Sequence, residues 1–178
     1  MNPFYIHGAY SNITMENSGY SKLQMVALVG LRLLIGWHFL YEGIVKLLNP
    51  NWSSVGYLMG AQGWFGGLFR GIGGSSSMVG IADFVTVWGM VFIGLALTLG
   101  FLLKPASILG MILLAMFYLA YPPFPGIESS APVEGSYVIV NKNLIELFGL
   151  MTIMAFPTAR YYGIERFFTR QTAVPVTN

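Results

Sequence analysis

Residues 80–103 read GIADFVTVWGMVFIGLALTLGFLL, and Asp83 is the single charged residue among them. A helix needs roughly 20 apolar residues to cross a hydrocarbon core about 30 Å thick, and this run supplies them. A membrane β-strand would instead alternate apolar and polar residues over about ten positions. The run does not alternate. It reads as a transmembrane helix, and the chain around it as an all-α integral membrane protein.

The rest of the sequence repeats the pattern. Four apolar blocks cover about 23–48, 79–103, 105–121 and 143–159, predicting a four-transmembrane antiparallel helix bundle in a single domain, 1–178. Asn49-Pro50 ends the first block, since proline cannot continue the helical ladder. Pro105 opens the third, a position that tolerates its missing N–H. The third and fourth blocks, about 17 residues each, lie near the lower limit for spanning. Between the first two blocks lies an outer cap, 51–78, holding Trp52, Tyr57, Trp64, Phe65 and Phe69 among glycines and serines. It is too short and glycine-rich to span, and reads as an interfacial or re-entrant segment. The loop 122–142 contains PPFPG and two glutamates, and reads as turn-rich.

Composition agrees with a bilayer solvent. The 178 residues are 55% hydrophobic and 9% charged, too few charges for the polar shell of a soluble domain. The net charge of +2 and the lack of a basic patch interleaved with aromatics argue against nucleic acid. No cysteine is present, which excludes disulfides, thiolate metal sites and a persulfide on this chain. Residues 1–22 have no charged n-region or early apolar run, so the first span is expected to act as an uncleaved signal anchor. The sequon at Asn12 carries no weight. Lys22, Lys104, Arg160, Arg166 and Arg170 fall on the side of both termini, against Arg70, Lys46 and Lys142 opposite. That bias places both termini in the cytoplasm of a prokaryotic cell membrane.

The chemistry concentrates in residues 31–50, LRLLIGWHFLYEGIVKLLNP. On a helical wheel Arg32, His38, Glu42 and Lys46 all fall within an arc of about 120°, so one face is polar and the rest can meet lipid. Charges at a helix centre cost about 2.5–3.5 kcal/mol each on insertion scales, so they should face the interior of the bundle and find partners. Asp83 on the second span, and Lys142, Asn143 and Glu146 on the fourth, are the partners on offer. The pattern predicts a polar cavity open toward the outer loops, with Arg32 at its inner end. Plainer readings stand beside this one. Glu42 and Lys46 form the i,i+4 pair of an ordinary helix, His38 suits a hydrogen-bonded core histidine, and Lys142 can snorkel to the interface. Trp64 and Phe65 fit headgroup anchoring as well as the border of a ring-binding pocket. One histidine and one carboxylate make no case for a metal. No flavin or nicotinamide fingerprint or pair of haem ligands stands out.

The pattern Arg32-x-x-x-Gly36-x-x-Phe39-x-x-x-Gly43-x-x-Lys46 resembles the first-helix signature of the DoxX/DoxD membrane proteins. Residues 49–69, NPNWSSVGYLMGAQGWFGGLF, are similar to the segment that follows it in the DoxD branch. Asp83 with GFLLKPASILG (100–110), NKNLIELFG (141–149) and ARYYGIERFF (159–168) extend the likeness over roughly 26–168. The resemblance implies a four-helix subunit of a thiosulfate:quinone oxidoreductase, with quinone as cofactor and a DoxA-like partner subunit. Thiosulfate would be oxidised to tetrathionate. On that reading Arg32 and Lys46 supply positive charge to the substrate anion or quinone oxygens. His38, Glu42 and Asp83 deliver protons, while Trp64, Phe65, Asn143 and Glu146 border the quinone. Two alternatives remain open: a non-catalytic anchor or assembly subunit for a redox partner, and a small proton or anion carrier.

Overall fold

The computed structural model describes residues 20–124, 138–156 and 158–166. The sequon at Asn12, most of the first 22 residues, Pro157, Arg170 and the middle of the 122–142 loop lie outside them. The described residues fold into helices α1 (Lys22–Leu48), α2 (Val55–Met59), α3 (Gly66–Gly73), α4 (Ser76–Leu99), α5 (Leu103–Ala120) and α6 (Lys142–Ala155), followed by a 3-10 turn, Thr158–Arg160. Among them is no β-strand.

Local chemistry sets the helix ends. Ser21 and Gln24 form a capping box that satisfies the first free N–H groups of α1. Asn141 caps α6 by accepting from Leu144 N at 3.0 Å. Gly100, at φ 67°, ends α4 in the left-handed region. There Phe101 N donates to Ala96 O and Gly100 N to Leu97 O, the paired bonds of a Schellman cap. The expected second span therefore stops at Leu99 instead of 103, and residues 100–102 make the turn into α5. Pro105 sits inside the first turn of α5 rather than opening it, still where its missing N–H costs nothing.

Helices α1, α4 and α5, of 27, 24 and 18 residues, are long and apolar enough to cross a membrane. Helix α6 is shorter than the sequence suggested. Its 14 residues end at Ala155 and rise about 21 Å. The cap residues form α2 and α3.

Successive long helices run antiparallel. Gly36 of α1 faces Leu97 and Thr98 of α4, and Gly43 faces Met90 and Val91, so α1 lies on α4 through small residues. Gly110 of α5 meets Ile93 of α4 and Leu150 of α6, and Gly149 of α6 meets Ile35 of α1. Ile35, Phe39, Ile93, Leu97, Leu114 and Leu150 fill the centre of this packing. A second cluster (Leu58, Ala61, Phe69, Val79, Ala120 and Tyr121) binds the cap to α4 and α5. Large apolar side chains also point outward, among them Leu34, Trp37, Phe84, Ile112 and Phe148. Water would penalise that surface and lipid would not.

Candidate functional site

The antiparallel run brings the C-terminal end of α1, the N-terminal ends of α4 and α6, and the C-terminal end of α5 to the same end of the bundle as the cap. There they enclose a cavity of about 430 Å³. Its walls differ in chemistry. His38, Glu42 and Lys46 line it from successive turns of α1, and Asn143 and Glu146 from the first turns of α6. Met90 of α4 and Leu113, Leu114 and Phe117 of α5 form an apolar wall. Trp52, Ser54, Tyr57 and Phe69 make the roof.

His38 Nδ1 lies 2.5 Å from Glu146 Oε1, a close pair between α1 and α6. Nδ1 and Glu146 Oε2 are both buried. An imidazole and a carboxylate in this arrangement can share or hand over a proton, and the other ring nitrogen of the imidazole keeps hydrogen-bonding capacity for a third group. One turn outward Lys46 pairs with Glu42, four residues earlier on the same helix. Its ammonium also stands 5.8 Å from the Trp52 ring centre, tying the charge to the roof.

The roof is hydrogen-bonded to α4 and α5. Ser54 N donates to Asp83 Oδ1 at 2.7 Å and Gln62 N to Ala120 O at 2.9 Å. Tyr57 OH donates to Phe117 O at 3.2 Å, and Tyr121 OH to Tyr57 O at 2.7 Å. Burial, reinforced by the neighbouring Tyr121, pushes the Tyr57 phenol well above the ordinary tyrosine range.

The sequence-derived candidates thus divide into groups. His38, Glu42, Lys46, Asn143 and Glu146 converge on the cavity. Asp83 lies beside it, its carboxylate engaged with the roof backbone. Trp64 and Phe65 lie outside it: Trp64 is 87% exposed and stacks near Phe124, with ring centres 5.7 Å apart.

Arg32 is remote from the cavity as well. Six residues before His38, it sits about 9 Å farther along α1. Its guanidinium is buried and donates to Thr158 Oγ1 at 3.3 Å and Tyr162 O at 2.6 Å. In the same region Ile164 N and Glu165 N donate to Leu99 O and Gly100 O. Arg32 therefore holds the segment after α6 onto the α4–α5 turn and does not close the inner end of the cavity.

Phe117 and Tyr121 are site residues that the sequence reading passed over, and Tyr57 was read only as one aromatic of the cap. Their only signal was aromatic character next to a turn, which many membrane residues share. Among the described residues no group of three or more His, Asp or Glu gathers to hold a metal. Comparison with family models, curated proteins and solved structures finds no match to this chain.

Proposed function

We propose that this chain is a membrane subunit that binds a quinone headgroup in the cavity under the cap. The observation that carries the reading is the His38–Glu146 pair, which faces a cavity of about 430 Å³ with an apolar wall opposite. That volume lies within the range of ligand pockets, about 300–1,000 Å³. A quinone oxygen accepts, and the ring nitrogen of His38 that is not turned to Glu146 can donate to it.

A bound quinone would supply a two-electron, two-proton acceptor. The chain's part is to position and to protonate. His38 holds a proton beside Glu146, within reach of an oxygen that enters the polar side of the cavity. The Glu42–Lys46 pair sets the field around that proton and contributes no net charge. Trp52 and Tyr57 cover the site and limit water. Electrons come from a donor on a partner. The thiosulfate donor and the DoxA-like partner rest on the resemblance to DoxX/DoxD proteins. The cavity favours the quinone half of that chemistry, because Arg32 is engaged elsewhere and Lys46 is paired.

In the bilayer, α1, α4 and α5 cross fully, and α6 with the turn after it completes a four-span bundle. The cap lies at the outer interface. The end bearing Lys22, Lys104, Arg160 and Arg166 faces the cytoplasm, following the positive-inside bias.

Titration of the purified protein in lipid nanodiscs with ubiquinone-1 tests the reading. Saturable binding with one site per chain, weakened by His38→Gln, is the expected result. Absence of saturable binding by the intact protein overturns it. An assembly role is favoured by one observation, the exposed Trp64, Leu68 and Phe65 on the cap, which offer a partner an apolar foothold. On that reading Trp64→Ala releases the partner, and the unaltered protein itself shows no ubiquinone-1 site.

A further inference from the structure

The cavity reaches the surface at two places of opposite chemistry. Ser53 and Lys142 line it and are exposed, giving a polar opening between the cap and the start of α6. Val85 of α4 and Met116 of α5 also line it, yet they are 57% and 44% exposed on the outer face of the bundle. A residue that belongs both to the cavity wall and to the outer surface marks a place where that wall is one side chain thick.

The two residues stand at similar heights on neighbouring helices, and both line the cavity. Gly110 meets Ile93, and α4 and α5 are antiparallel, so Val85 stands level with residue 118. Met116 is two residues from that level, about 3 Å along the helix axis. Val85 also lies nine residues, about 13 Å, inside the cap end of α4. Because residue 118 lies in the last turn of α5, a fully spanning α5 puts this level in the outer few ångströms of the hydrocarbon core, where acyl chains begin.

Above and below, the cavity is closed. The roof is held by the Ser54–Asp83, Gln62–Ala120, Tyr57–Phe117 and Tyr121–Tyr57 hydrogen bonds, and the Tyr57 and Tyr121 rings pack with centres 4.5 Å apart. The floor is tightly filled, with Ile93 at 1% and Leu150 at 0% exposure.

We infer that the Val85–Met116 gap is a lateral window, through which the hydrocarbon tail of a ring-headed lipid leaves the cavity for the bilayer. The inference rests on the quinone reading and adds what kind of quinone the site takes and from where. The head lies toward His38 and Glu146, and the tail passes the apolar wall of Met90, Leu113 and Phe117. The ligand enters sideways from the membrane. Protons reach the head through the polar opening at Ser53 and Lys142. A tail directed to that opening would meet an ammonium and water, whereas one directed to the window meets lipid.

The test is photocrosslinking in nanodiscs with a decyl-tailed ubiquinone that carries a diazirine midway along the tail. Adducts are mapped by mass spectrometry with and without excess ubiquinone-1. Adducts at Val85 and Met116 should dominate and fall about tenfold when the competitor is about ten times its Kd. Adducts on the exposed lipid-facing Phe84, which does not line the cavity, should not respond to the competitor. Competed adducts on the roof at Trp52 or on α6 near Lys142 would overturn the window while leaving the quinone site in place. If no adduct responds to ubiquinone-1, the quinone reading itself fails, and the window loses its occupant.

Discussion

Gly94 of α4 crosses the backbone of Leu40 on α1 so closely that a Cβ at position 94 would collide with the Leu40 nitrogen and Cα. The obstacle is backbone rather than a side-chain tip that can turn away. Gly36 and Gly43 make matching contacts from the α1 side, so this pair of helices depends on having almost nothing between them.

Gly94→Ala should therefore force α1 and α4 apart and lower stability by about 1–3 kcal/mol, as overpacked cores do. Gly30, with open space around the position of a Cβ, is the control. Gly30→Ala should hold or raise stability by about 0.5–1 kcal/mol through helix propensity. Thermal unfolding of both variants in the same detergent checks the contrast. Equal effects would mean that the close approach is not what binds these helices.

The buried guanidinium of Arg32 predicts a defined local failure. Arg32→Ala removes the donor to Thr158 Oγ1 and Tyr162 O, charge-assisted bonds worth about 1.5–3 kcal/mol each. The segment after α6 should then come away from the α4–α5 turn, and trypsin should cut after Arg160 faster than in the unaltered protein. Arg32→Lys should fall between the two, because an ammonium lacks the fork that reaches both acceptors. An unchanged cleavage rate would remove the clasp from the account.

His38 and Glu146 should act as a unit. His38→Gln or Glu146→Gln alone should weaken ubiquinone-1 binding about tenfold, since each leaves the other partner buried and unmatched. The double variant should be little worse than either single change, the signature of coupled neighbours. Calorimetric titration of all four proteins gives the cycle, and strictly additive losses would count against a shared site.

Alkaline pH should loosen the roof. The Tyr57 phenol titrates above the ordinary value of 10.0 because it is buried beside Tyr121. A folded-state value above the unfolded one gives stability that is fully present below about pH 10 and lost as the pH rises toward the folded value. Tyr57→Phe should cost about 1 kcal/mol at neutral pH by deleting the bond to Phe117 O. It should also show a shallower decline between pH 10 and 11. Thermal unfolding of both proteins across that range measures the difference, and parallel curves would refute the assignment.

Residues 80–99 and the matching apolar runs of the other blocks were legible as helices because apolar length is a local property. The shared azimuth of His38, Glu42 and Lys46 on α1 was legible for the same reason, and these three side chains do line one cavity wall. Arg32 occupies nearly the same arc of the helical wheel but not the same site. A wheel records angle and discards height, and about 9 Å of rise separates Arg32 from His38. The end of α6 was legible only in part: Pro157 marks where the apolar block gives out, and α6 stops two residues before it, at Ala155, as the chain turns to meet Arg32.

What the sequence determined by itself is the solvent-facing logic: long apolar helices and sparse charges gathered on one stripe. Only the tertiary structure decided which charges share a space. The partners of His38, Arg32 and Asp83 lie 108, 126 and 29 residues away along the chain. Hydrophobic pattern selects the buried face of a helix, but pairings at that distance depend on the axial registry of packed helices, which contacts such as Gly94 on Leu40 impose.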